Sequence, residues 1–78
     1  MTVYTRPGCH LCDEAVESIV AIRDGGVGLK LRTVDIEGDD RLHATFLERI
    51  PVVEVGGRVV AELESDEAFL RAAITSPA

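Results

Sequence analysis

The sequence predicts an α/β domain: a three-layer α/β/α sandwich around a four-stranded mixed sheet, in the order β-α-β-α-β-β-α. Three observations predict it. Apolar residues recur at helical spacing from about Cys9 to Arg23. β-Branched and alternating segments lie on either side of that stretch, so two strands are joined through a helix, which implies a parallel pair with a right-handed crossover. Two more apolar segments meet at Gly56-Gly57 and read as a hairpin, which adds antiparallel strands. Helices before and after the hairpin then cover both faces of the sheet.

The elements follow in order. Thr2-Val3-Tyr4-Thr5 is β-branched and aromatic, a short strand that Pro7-Gly8 breaks. In the first helix, Leu11, Ala15, Val16, Ile19, Val20 and Ile22 supply the apolar stripe. Asp13 and Glu14 in the first turn and Arg23 in the last suit the helix dipole. Gly25-Gly26 stops it. Leu29 to Ile36 alternates and predicts a second strand near the sheet edge. Gly38-Asp39-Asp40 offers a turn and a cap for a helix from about Asp40 to Leu47, with Leu42 and Phe46 four residues apart. Pro51 ends that region. Val52 to Val55 and Arg58 to Leu63 are the hairpin strands, and the glycine pair supplies the positive φ angles of a two-residue turn. Ser65 is the expected N-cap of a last helix running to about Ile74, and the final Thr-Ser-Pro-Ala is expected to fray.

The length of 78 residues accommodates one domain, residues 1–78, with no repeat or linker. Aromatics are few (Tyr4, Phe46, Phe69), so the core must be built of Val, Leu, Ile and Ala. The net charge of −6 argues against nucleic acid and anionic membrane as partners. Met1 runs into a strand pattern with neither a basic stretch nor an apolar leader, and no apolar run approaches the ~20 residues of a membrane span. A cytoplasmic, monomeric protein is the default expectation.

Chemistry concentrates in Cys9-His10-Leu11-Cys12, which holds both cysteines of the chain and lies at a strand-to-helix junction. A free thiol with a pKa near 8.5 is only about 3% thiolate at pH 7. Unpaired N–H groups and the dipole at a helix N-terminus favour the anion, and cysteines in such pairs have pKa values of roughly 3.5–7.5. Cys9, at the helix entrance, is the candidate nucleophile. Cys12, one turn inside, is the candidate resolving thiol. Asp13 and Glu14 partly oppose the effect. The spacing also suits a disulfide, although a four-residue loop contributes only about 2 kcal/mol of stability, poor for a staple and adequate for a switch. Two other readings stay open. Cys9 and Cys12, with His10 and His43, are a possible metal set, or Cys9 a ligand to an iron–sulfur group shared by two chains; alternatively the domain is a non-catalytic interaction module.

With Thr5-Arg6-Pro7-Gly8-Cys9-His10-Leu11-Cys12 on a β-to-α junction and Arg49-Ile50-Pro51-Val52 opening the hairpin, the chain resembles the small glutaredoxin-like proteins of the thioredoxin fold. The resemblance implies a dithiol thiol–disulfide oxidoreductase without bound cofactor, acting on disulfides of proteins or small molecules. Glutathione or a thioredoxin-reductase-like enzyme would supply the electrons. It implies that Pro51 is cis and faces the cysteine pair, and that Arg6, the backbone of Ile50-Pro51 and the start of the last helix, here Ser65 and Asp66, bind substrate. At that last position the family's Gly-Gly-x-Asp segment is replaced by Ala61-Glu62-Leu63-Glu64-Ser65-Asp66. Glu62 and Glu64 are expected to repel the carboxylates of glutathione, making it the poorer reductant.

Overall fold

The computed structural model describes residues 1–75. It contains β1 (Thr2–Thr5), α1 (His10–Asp24), β2 (Arg32–Asp35), a 3-10 turn (Ile36–Gly38), α2 (Asp40–Phe46), β3 (Val52–Val55), β4 (Arg58–Glu62) and α3 (Glu67–Thr75). The strands form one four-stranded sheet in the order β2-β1-β3-β4. β1 and β2 run parallel, with Thr2 opposite Arg32 and Thr5 opposite Asp35. β3 is antiparallel to both β1 and β4. This is the predicted three-layer architecture.

Strand alternation sends side chains into two separate cores. On one face Val3, Val53 and Ala61 pack with Ala15, Ile19 and Ile22 of α1 and Leu70 of α3. On the other, Val52 packs with Ile36, Ile50 and Cys12, with Tyr4, Cys9, Leu42 and Phe46 partly buried around them. Tyr4 of β1 and Phe46 of α2 stack at 4.7 Å between ring centroids. The second core is the one the cysteine pair joins.

Four expectations are corrected. β2 is shorter than Leu29–Ile36. β1 begins at Thr2, so ladder pairing starts at Arg32; just upstream, the Met1 ammonium donates to the Lys30 carbonyl and the Met1 carbonyl accepts from the Arg32 N–H. At its other end the Asp35 carboxylate accepts the Glu37 N–H at 2.8 Å, which turns the chain into the 3-10 segment. β4 stops at Glu62 because Leu63 takes a positive φ of 54° and leaves the extended region. The cap of α3 is Asp66 rather than Ser65: its carboxylate accepts from Phe69 N–H at 2.9 Å. Thr75, expected to fray, lies within α3; the rest of that tail lies outside the described residues. The hairpin turn is as expected, with φ of 60° and 82° at Gly56 and Gly57.

Candidate functional site

The junction between β1 and α1 builds the site. Gly8 has a φ of 79°, a left-handed conformation that lets the chain reverse out of β1 into the helix. Cys9 then sits in extended conformation as the N-cap of α1. Its sulfur occupies the place a capping hydroxyl or carboxylate normally takes, accepting the Cys12 N–H at 3.1 Å. The helix therefore begins one residue later than expected, and Cys9 caps it through its sulfur. Cys9 and Cys12 are disulfide-bonded, with Cα atoms 5.2 Å apart. Cys9 is half-buried, whereas Cys12 is only 1% exposed. An incoming reactant can therefore reach Cys9 and not Cys12.

A groove of about 380 Å³ opens beside Cys9, lined by Arg6, Pro7, Gly8, Cys9, Leu47 and Ile50. Among the residues singled out in the sequence, it brings Arg6 and Ile50 to the cysteine. The Ile50-Pro51 bond is cis. The Pro51 side chain is fully buried, so Ile50 forms the wall and Pro51 lies beneath the surface. The Ile50 N–H is spent on the Phe46 carbonyl at 3.0 Å. The Ile50 carbonyl has no hydrogen-bond partner among the described residues, so only this half of the backbone edge remains for a docking strand.

Ser65 and Asp66 are elsewhere. They border a separate depression with Glu14, Glu17, Ser18 and Glu67. The Ser65 hydroxyl donates to Glu14, and its carbonyl accepts from Ser18 at 2.7 Å, so it ties α1 to the start of α3. Asp66 caps α3. Both residues are thus occupied in holding the fold.

Glu62 and Glu64 are each held by a local bond. Glu62 accepts two bonds from the Arg49 guanidinium, which lies 5.1 Å over the Phe46 ring. The bond to Arg49 holds the Glu62 carboxyl below its ordinary range and raises the guanidinium. Glu64 turns back to accept the Asp66 N–H. Two contributors escaped the sequence reading. Glu37, on the unforeseen 3-10 turn, pairs with Arg6 at 3.3 Å. Leu47, just past α2, is a groove wall and 36% exposed. A pattern of apolar periodicity contains no signal for either. Among the described residues no three His, Cys, Asp or Glu side chains gather as a metal set, and no helix is long and apolar enough to cross a membrane.

Comparison with known proteins agrees with this geometry. Residues 1–75 match the family model of the Glutaredoxin-like domain (DUF836). Uncharacterized proteins of Mycobacterium tuberculosis and Mycobacterium bovis are each 35% identical over 77 residues, covering 92% of this chain and 78% of theirs. The X-ray structure of a structural-genomics target protein, XcR50 from X. campestris, superposes with a TM-score of 0.84 at 32% identity, over 99% of this chain and 97% of that one.

Proposed function

The chain belongs to the glutaredoxin-like domain family, and from that premise we propose that it is a dithiol thiol–disulfide oxidoreductase. The family and the bonded Cys9–Cys12 pair fit a thiol–disulfide redox role. One observation carries the finer reading: the Cys9 sulfur caps α1 and is partly open to the groove, while Cys12 is buried behind it.

In the reduced protein the Cys9 thiolate, favoured by the Cys12 N–H and the helix N-terminus, attacks one sulfur of a substrate disulfide. A Cys9–substrate mixed disulfide forms and the first substrate thiolate leaves. The Cys12 thiolate then attacks the Cys9 sulfur, the Cys9–Cys12 bond forms, and the second substrate thiolate leaves. The substrate gains the two electrons the pair loses. Two electrons from glutathione or a thioredoxin-reductase-like enzyme restore the dithiol. Arg6, Ile50 and the Ile50 carbonyl are the substrate contacts of this scheme.

The test uses two variants and a protein disulfide such as insulin. Cys9→Ser abolishes reduction, and Cys12→Ser accumulates a mixed disulfide through Cys9. Equal retained turnover in both variants overturns the mechanism.

A further inference from the structure

The charges around the groove are arranged in an unusual way. The chain has 8 Lys and Arg. Lys30, Arg32 and Arg58 lie at or before the strand starts of β2 and β4, the end of the sheet opposite Cys9, as the pairing of Thr2 with Arg32 and of Tyr4 with Val52 requires. Arg23 is in the last turn of α1, and Arg71 lies near Gly25 at that same end. Two cations are close to the groove: Arg6 lines it, and Arg49, over the Phe46 ring, lines the adjoining depression that shares the Leu47 wall. Each is matched by one carboxylate, Arg6 by Glu37 and Arg49 by Glu62. The eighth cation, Arg41, lies in the first turn of α2 at the Cys9 end of the sheet, together with Asp13 in the first turn of α1, Asp35 and Asp39 flanking the 3-10 turn, and Glu48 just past α2.

We infer that Glu37 and Glu62 determine substrate specificity by charge: they cancel the two arginines beside the groove, so that Cys9 takes uncharged or cationic disulfides in preference to anionic ones. This inference rests on the thiol–disulfide reading above and names its substrate class. The physical reason is that an anionic disulfide, glutathione disulfide among them, meets no uncompensated cation at Arg6 or Arg49. At either guanidinium it meets a charge already paired with a carboxylate, while Asp13, Asp35, Asp39 and Glu48 outnumber Arg41 at this end of the sheet and repel it. A neutral disulfide meets no such barrier, and a cationic one is attracted. The Arg49–Glu62 pair is fully ionised at neutral pH, because the carboxyl is held below and the guanidinium above its ordinary value. Both pairs are reached by solvent, so their effect is one of selection and of encounter rate.

The experiment is stopped-flow oxidation of the fully reduced chain by three small disulfides: cystamine (cationic), hydroxyethyl disulfide (neutral) and glutathione disulfide (anionic). The expected order of rate constants, scaled for intrinsic thiol reactivity with a free-cysteine peptide, is cystamine, then hydroxyethyl disulfide, then glutathione disulfide. Raising salt slows the first and speeds the last. In Glu37→Gln, and further in Glu37→Gln/Glu62→Gln, the ratio of the anionic to the neutral rate rises at least about threefold. Equal scaled rates for the three in the wild type, or a ratio unmoved in the variants, overturns charge selection and leaves the redox reading standing. Failure to react with hydroxyethyl disulfide overturns the redox reading itself.

Discussion

Replacing Cys9 by serine or by alanine separates its two duties. Its sulfur is both the proposed nucleophile and the N-cap acceptor for the Cys12 N–H at 3.1 Å. Either substitution removes the nucleophile. Serine restores a capping oxygen, among the preferred residues at this position, whereas alanine leaves the N–H without its acceptor. Losing a cap of this kind costs typically about 1 kcal/mol. In a domain of this size that lowers Tm by roughly 4–8 °C. Measurement under reducing conditions removes the disulfide from the comparison, since the wild type then lacks the roughly 2 kcal/mol contribution of its four-residue loop. Far-UV circular dichroism in excess dithiothreitol is expected to give Cys9→Ser close to the reduced wild type and Cys9→Ala several degrees below it. Both are expected to be inactive with disulfides. Coincident melting curves for the two variants refute the claim that the Cys9 side chain caps α1. Activity in either refutes its assignment as attacker.

Further outcomes follow from burial and charge. Cys12 is only 1% exposed, so its alkylation requires local opening. An opening cost of about 3 kcal/mol makes iodoacetamide labelling of Cys12 in the reduced protein roughly 100-fold slower than that of Cys9, measured by mass spectrometry of the peptides; comparable rates contradict the attacker and resolver roles. Leu70 is the buried residue of α3 and sits in the core opposite the site. Leu70→Ala is expected to cost about 2–5 kcal/mol in urea unfolding, while the folded fraction keeps its Cys9 reactivity because the two cores lie on different faces. Glu62 has a depressed folded-state pKa through its bond to Arg49, so the pair's stabilisation is present above the ordinary carboxyl range and is lost as pH falls through the folded value. Wild type and Glu62→Gln should therefore differ slightly in Tm at pH 7 and converge in acid. A gap that widens on acidification shows the sign to be wrong.

Much of the fold was legible because it rests on short-range patterns. The stripe from Leu11 to Ile22 marks α1, the glycine pair marks the hairpin turn, and the cysteine spacing at a strand-to-helix junction marks the chemistry. The element order then leaves few topologies for a chain this short. The ends of elements were less legible, because neighbours distant in sequence decide them. β2 starts where β1 offers a partner, and α3 starts where the Asp66 carboxylate, rather than the Ser65 hydroxyl, reaches the helix.

The sequence by itself determined the architecture, the cysteine pair and the residue at the helix entrance, because each depends on periodicity or on spacings of a few residues. Only the tertiary structure decided which charges meet. Arg6 finds Glu37 across the sheet end, Arg49 finds Glu62 across the hairpin, and Ser65 and Asp66 turn to the work of joining and capping helices. Ion pairing depends on where side chains end in space, and a one-dimensional pattern shows which carboxylates exist without showing which are already taken. For that reason the acidic segment from Glu62 to Asp66 reads in the sequence as a run of open carboxylates, whereas in the structure Glu62 is paired with Arg49 and Asp66 caps α3.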